Sequence, residues 1–367
     1  MRVLIATDSF KGSLTSYEAG VAISEGIKKA VPDADTVVRE IADGGEGTFE
    51  IVTRALRGDI IGTEVTGPLG DRITASYGIA GTTAVIDISQ ACGLPLVPED
   101  RRDPLNTTTR GVGELILDAL DRGCRRFIIG LGGSSTNDCG AGMLQALGIK
   151  ITGSGGDQVT YGVNGLSSVS SVDAGCIDPR IAGAEFLVAC DVDNPLCGDR
   201  GCSMVFAPQK GADPSSLKFM DDVIRRFAEL AGGDPDLPGS GAAGGLGYAM
   251  RTFLRGRLVP GADLVISQTG LKDQMTGADI VITGEGCLDA QTSMGKAPSV
   301  IAGLAKASGI RVLAFAGCVK ADADALNLMG IDEAYSISDN VSQEEAMRNA
   351  ASLLTKKAYE VFDGRPF

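Results

Sequence analysis

The sequence predicts an α/β protein in which a parallel-sheet domain, built from both chain ends, carries a second α/β domain inserted between them. Three observations lead there. Short apolar strands alternate with amphipathic helices at the start of the chain, and the same alternation returns after about residue 278. Counting the two ends alone gives five strands separated by helices, the pattern of a parallel sheet covered on both faces. The middle of the chain has a different texture, with short strands joined by Gly/Pro turns. A length of 367 residues suits two or three domains. The expected division is 1–60 with 275–367 as the discontinuous domain and 61–274 as the insert, with the active site in the cleft they form.

The elements follow in order. Val3 to Ala6 is a short apolar strand. Thr15 and Glu18 match a capping box, and Ala19, Ile23, Ile27 and Ala30 then mark one helical face ended by Pro32. A strand is expected at Val37–Ala42 and a helix at 47–56. Glu64 onward, Arg72–Ile79 and Thr83–Ile88 read as antiparallel strands. Helices are expected at 113–121, 140–147 and 217–230, and strands at 126–131 and 186–190. The Gly/Ser-rich stretch 152–176 carries no clear period, and 232–247, dense in glycine, reads as a loop. Strands at 280–283, 312–316 and 334–337, a helix at 297–307 and an amphipathic helix at 343–361 complete the chain.

Composition narrows the chemistry. The chain has no histidine, which excludes Ser-His-Asp and Cys-His hydrolases, histidine metal sites and proximal-histidine haem. Proton transfer falls to carboxylates, lysine, tyrosine, cysteine or water. Thirty-three basic against 47 acidic residues give a formal charge of −14, so neither nucleic acid nor an anionic membrane is an expected partner. Nine cysteines, an odd number without Cys-x-x-Cys, read as reduced thiols. With no apolar run near 18 residues and no leader-like start, the reading is a cytoplasmic protein.

Polar glycine-rich segments recur just after the expected strands: Thr7-Asp8-Ser9-Phe10-Lys11-Gly12, Asp43-Gly44-Gly45-Glu46-Gly47, Gly132-Gly133-Ser134-Ser135-Thr136-Asn137-Asp138, Asp191-Val192-Asp193-Asn194 and Thr283-Gly284-Glu285-Gly286. Ligands of open α/β sheets bind outside the carboxyl ends of the strands. Successive backbone N–H groups in glycine turns suit phosphate, and Lys11, Lys210 and Lys296 each sit beside a glycine. Ala290 and Ala297 break a Walker loop at Gly295-Lys296, and Asp289 breaks a dinucleotide fingerprint at Gly284-x-Gly286. Asp191 and Asp193 point to opposite faces of a continuing strand, so one of the two is expected in the cleft, and with Asp8, Asp43, Asp138, Glu285 and Asp289 it makes up the acids suited to Mg²⁺ or to a base beside a phosphoryl acceptor.

These stretches resemble the bacterial glycerate kinases of the first type. The matching segments are Asp8-Ser-Phe-Lys-Gly-Ser, Ala42-Asp-Gly-Gly-Glu-Gly-Thr, Gly132-Gly-Ser-Ser-Thr-Asn-Asp, Cys190-Asp-Val-Asp-Asn-Pro-Leu-Cys-Gly, Pro208-Gln-Lys-Gly-Ala, Gly241-Ala-Ala-Gly-Gly-Leu-Gly, and Thr283-Gly-Glu-Gly with Asp289-x-Gln-Thr and Gly295-Lys-Ala-Pro. They run in the family's order over nearly the whole chain. Cys139 stands where a glycine is expected, Ser240 precedes a glycine usually preceded by another, and Cys287-Leu288 replaces an Arg-Ile-like pair.

The resemblance implies a flavodoxin-like end domain of strand order 2-1-3-4-5. It also implies ATP-dependent phosphorylation of D-glycerate, usually at the 2-hydroxyl. Alternatives are phosphorylation at the 3-hydroxyl, another small hydroxy acid as acceptor, or a metabolite-binding regulator without catalysis. With histidine absent, Asp191 is the expected base, Lys11 neutralises the transferring phosphoryl, and Asp43 completes the catalytic set. Asp8, Ser9, Arg110, Asn137, Asp138 and Asn194 are expected to bind the acid, with Arg110 on its carboxylate. Gly132, Gly133, Ser134, Gly284 and Lys296 are expected on ATP, and Glu285 and Asp289 on Mg²⁺. The oligomeric state is left open between monomer and homodimer.

Overall fold

Parallel strands covered on both faces need apolar side chains in both directions, and the first strand supplies them: Val3, Leu4 and Ile5 are all buried. Each such burial contributes about 1.5–3 kcal/mol relative to exposure. The computed structural model describes residues 1–42, 44–45, 47–289, 292, 296–339 and 341–365. Asp43, together with Glu46, Gln291 and Gly295 of the motif segments, lies outside the described residues.

Thirteen strands occur among the described residues: β1 (Arg2–Ile5), β2 (Asp35–Val38), β3 (Asp59–Thr66), β4 (Arg72–Ala80), β5 (Thr83–Asp87), β6 (Arg126–Gly130), β7 (Lys150–Gly153), β8 (Val169–Asp173), β9 (Glu185–Ala189), β10 (Arg257–Val259), β11 (Ile280–Leu288), β12 (Arg311–Val319) and β13 (Glu333–Ser336). The chain divides into two compact units, Met1–Asp43 with Ala262–Phe367, and Gly44–Gly261.

The discontinuous unit holds a five-stranded sheet of order β13-β12-β11-β1-β2, parallel at every pairing. Numbered within this unit, that is the expected order 2-1-3-4-5. Leu4, Val281, Val312 and Ala314 face one core with the helices Gly261–Thr269 and Ala297–Ala307. Val3, Ile5, Ile282, Leu313 and Phe315 face the other, with the helices Ser16–Ala30 and Ala350–Phe362. The predicted capping box is formed: Thr15 accepts from the Glu18 amide at 3.2 Å, and the Thr15 amide donates to the Glu18 carboxylate at 2.9 Å. The single closing helix expected from the sequence is two helices, Gln343–Arg348 and Ala350–Phe362, broken at Asn349, whose φ of −112° is not helical.

The other unit holds a mixed six-stranded sheet, β10-β9-β6-β5-β4-β3. β3, β4 and β5 are antiparallel, as their turn-rich texture predicts, and β5, β6, β9 and β10 are parallel. The unassigned stretch 152–176 belongs to the antiparallel pair β7–β8 and the short helix Gly162–Leu166. The glycine-rich stretch read as a loop enters a helix, Ala242–Leu254, through three left-handed residues, Ala243, Gly244 and Gly245. A Cβ at Gly244 would lie 2.1 Å from the Thr136 carbonyl oxygen, so the glycines here serve a close backbone approach. Opposite them Cys139 has φ +52°, which accounts for the glycine that the family pattern expects at that position.

Three helices, Thr48–Ala55, Gly261–Thr269 and Leu271–Met275, fall on the other side of the expected division. Thr48–Ala55 packs on β3, β4 and β5, and Ala262 and Ile266 of Gly261–Thr269 join the core of the discontinuous unit. One further expectation is overturned. Cys287 and Cys318 form a disulfide instead of remaining thiols, because β11 and β12 place them opposite each other in register. The other seven cysteines are free.

β11 and β12 approach so closely that a Cβ at Gly284 would sit 1.8 Å from the Phe315 carbonyl oxygen. Gly284→Ala therefore forces the strands apart and is expected to cost about 1–3 kcal/mol. A thermal melt should show a lower midpoint; an unchanged midpoint would mean that the strand pair yields without penalty.

Candidate active site

The polar groups sit at the carboxyl ends of the parallel strands, in the loop after β1 and in the last residues of β11. In the discontinuous unit, the Asp8 amide donates to the Gly284 carbonyl at 2.8 Å, and the Ser9 amide donates to Asp8 Oδ1 at 2.7 Å. A cavity of about 590 Å³ opens here, lined by Asp8, Lys11, Glu285, Asp289, Lys296 and Lys320 among others. Glu285 is largely buried. One of its oxygens accepts from the Thr292 hydroxyl at 2.5 Å, and the other lies 3.9 Å from Lys296 Nζ. Burial raises the Glu285 pKa, while the Thr292 hydrogen bond and the charges of Lys296 and Lys11 oppose that rise. Asp289 is tied to the same threonine, its amide donating to Thr292 Oγ1 at 3.1 Å. Lys296 is the N-cap residue of the helix Ala297–Ala307, with Pro298 in the first turn.

The other unit gathers a second set of groups at the ends of three adjacent parallel strands: Asp87 on β5, Gly132 to Asp138 after β6, and Asp191 after β9. Lys210 is 2% exposed, and its ammonium donates to Ser134 Oγ at 2.8 Å and to the Thr136 carbonyl at 2.7 Å. Burial pulls its pKa down to about 8. Asn137 is fully buried, with its amide nitrogen on Ser203 Oγ at 2.9 Å. Asp138 accepts from the Thr109 amide and hydroxyl, both at 2.9 Å, and from the Gly140 and Gly142 amides, both at 3.1 Å. Burial still lifts its pKa above the usual carboxylate value. Asp191 is exposed and takes the Gly261 amide on Oδ1 at 2.8 Å. Such a collection of amides, lysines and carboxylates suits handling of phosphorylated anions.

The sequence profile of the Glycerate kinase family matches residues 3–364. The chain belongs to the glycerate kinase family. It is 44% identical to a glycerate kinase of Bacillus subtilis over 98% of this chain and 97% of that protein. It is 42% identical to a glycerate 2-kinase of Escherichia coli over 95% of this chain and 94% of that protein. It also superposes with a TM-score of 0.86 on the crystal structure of a Salmonella typhimurium LT2 protein ascribed to glycerate kinase 2. That protein is 42% identical, with 99% of this chain and 97% of the other covered. The resemblance carried by the seven motif segments and the family match agree.

Within this glycerate kinase family chain, Asp8, Ser9, Lys11, Glu285, Asp289 and Lys296 line one cavity, and Gly284 lies in the strand beneath it. Gly132, Gly133 and Ser134 form the turn after β6, with Gly133 at φ +73° and its carbonyl accepting from the Leu94 amide at 2.8 Å. Asn137 and Asp138 turn inward, and their contacts hold the loop. Arg110 opens the helix Arg110–Asp121 and pairs with Glu114 at 3.0 Å; Glu114 also takes Arg72 at 3.1 Å. The Asn194 side chain donates to the Arg200 carbonyl at 2.8 Å. Asp43 lies outside the described residues.

Two residues escaped sequence reasoning. Thr292 connects Glu285 with Asp289, and its only signal is its place in the Asp289-x-Gln-Thr segment. Asp87 is 2% exposed and accepts from the Phe49 amide at 3.2 Å, at the start of the helix Thr48–Ala55, while its Oδ1 has no partner. Burial raises its pKa well above the carboxylate norm, and Glu50 adds to the rise. An acid closing an otherwise apolar strand was the available cue.

Because the folded pKa of Lys210 lies below its unfolded value of 10.5, the unfolded chain binds more protons between about 8 and 10.5. Stability from this group therefore rises with pH through that window. The melting curves of wild type and Lys210→Met should diverge there, with wild type gaining relative to the variant as pH increases. Parallel curves would remove the buried ammonium from this account.

Proposed function

We propose that this family member transfers the γ-phosphoryl group of ATP to D-glycerate at the 2-hydroxyl. The observation that carries the reading is the cavity at the carboxyl ends of β1 and β11, where lysines and carboxylates line a space sized for a small phosphorylated ligand. The names of the B. subtilis and E. coli relatives support the acceptor, and the latter supports the position of transfer.

Phosphoryl transfer asks a protein mainly for positioning and charge. Lys11 and Lys296 offset negative charge on the phosphate chain. Glu285 and Asp289 would hold Mg²⁺, which takes one or two carboxylates and completes its shell with phosphate oxygens and water. The donor set fits: Thr292 donates to one oxygen of the Glu285 carboxylate and accepts from the Asp289 main-chain amide, and the Glu285 oxygen facing Lys296 is not engaged by that threonine. When bound, the ion would supply positive charge opposite the phosphate chain. The Gly132-Gly133-Ser134 turn offers amides to phosphate, steadied from beneath by Lys210. Arg110 serves the carboxylate of the acid. Asp191 accepts the hydroxyl proton, its orientation set by the Gly261 amide.

Asp191→Asn keeps the oxygen that meets Gly261 and loses the base. Its kcat should fall by about two orders of magnitude or more, in line with the usual size of general-base effects, with melting unchanged. Near-normal turnover would take Asp191 out of the role. Phosphorus NMR of the product from Mg-ATP and D-glycerate should show a phosphomonoester on C2. A C3 ester would move the transfer to the other hydroxyl, and binding without ADP release would favour a metabolite-binding protein instead.

A further inference from the structure

The cavity wall carries a pair of groups that the proposed transfer does not use. Cys287 on β11 and Cys318 on β12 are direct register partners, with Cα atoms 4.6 Å apart and a disulfide joining them. That separation lies within the range a disulfide spans without moving the backbone. The next register pair, Leu288 and Val319, turns away into the core with Ala297 and Ile301, so the two cysteines alone of these four line the cavity. The strands come together just before them through glycines: a Cβ at Gly317 would sit 2.3 Å from the Gly286 carbonyl oxygen.

Both sulfurs are half-buried at the cavity rather than sealed in the core. Several other cysteines are of the opposite kind. Cys92, Cys139 and Cys202 are fully buried, and burial pushes the Cys92 thiol up to about 12 and that of Cys202 to about 11. Such thiols supply little thiolate and react slowly.

We propose that Cys287 and Cys318 are a reversible thiol–disulfide site whose co-reactant is a low-molecular-weight disulfide, and that its oxidation state tunes the cavity they line. One cysteine thiolate attacks the external disulfide, forming a mixed disulfide and releasing one thiol. The second cysteine then attacks the protein sulfur and releases the other thiol. The two protein thiols lose two electrons and two protons; the external disulfide gains them as two thiols. The bond clamps the ends of β11 and β12, from which Glu285, Asp289 and Lys320 reach the cavity. Oxidation thus holds that rim ready for its ligand, and reduction releases the clamp, so the oxidised form binds the nucleotide more tightly. This last step rests on the proposed kinase reading.

The test incubates the whole protein with oxidised or reduced dithiothreitol, then alkylates free thiols and reads peptide masses. Oxidation should protect Cys287 and Cys318 together and leave the other cysteines open to alkylation after unfolding; reduction should expose both. The KM for ATP should be several-fold lower in the oxidised protein, and Cys287→Ser with Cys318→Ser should give one KM in both buffers. Alkylation of both cysteines after oxidation would overturn the site, and equal KM values in the two states would overturn the tuning. Phosphate-free protein with no turnover in either state would instead overturn the kinase reading and the KM effect that rests on it, leaving the mass result to judge the disulfide by itself.

Discussion

The polar loops of both units depend on main chain packed directly against main chain. Gly284 lies against the Phe315 carbonyl, Gly317 against that of Gly286, and Gly244 against that of Thr136. A methyl group at any of these points would enter space already held by backbone. The result is that amides and carbonyls near the cavity and near the β6 loop are fixed by neighbouring strands and turns instead of by flexible side chains. A site meant for phosphate gains from this, because its N–H groups need no reorganisation when charge arrives. The high glycine content, 51 residues, thus has a specific structural meaning at these places.

Burial of ionisable groups is the second theme. Asp87, Asp138 and Lys210 are almost wholly removed from water within one unit, and each is held by backbone or hydroxyl partners. Asp138 is the most fully satisfied, with four donors. A buried charge without such partners is strongly unfavourable, so these hydrogen bonds define where the loops run as much as any apolar contact does. The ion pairs on the surface are another matter: Arg200 with Asp193 and Arg348 with Glu344 are largely exposed and contribute little.

Features with a local cause were readable from the sequence. The Thr15/Glu18 capping box needs only residues three apart, and the apolar runs of β1, β11 and β12 need only burial on both faces. The loops of the candidate site were legible because acids, lysines and glycines gather immediately after those runs. What escaped depends on partners distant in sequence. The Cys287–Cys318 bond follows from strand register, the glycines at 244 and 245 from a loop a hundred residues earlier, and the capping role of Asp87 from a helix that precedes it. The inward turn of Asn137 and Asp138 was equally hidden, since a polar residue in a loop looks the same in sequence whether it faces water or Ser203 and Thr109. The pair β7–β8 lacked a signal because its residues are small and half polar.

The order of the strands has a consequence for how the protein is made. β1 is the second strand of its sheet from one edge, between β2 and β11, and β11 lies more than 240 positions further along the chain. During synthesis on the ribosome, Gly44–Gly261 is complete before the strands that finish the discontinuous unit have emerged. Val3 and Ile5 must wait with one flank uncovered until Ile280 and Ile282 arrive. The inserted unit is therefore able to fold first, as nascent domains generally do, while the first residues translated are among the last to be enclosed.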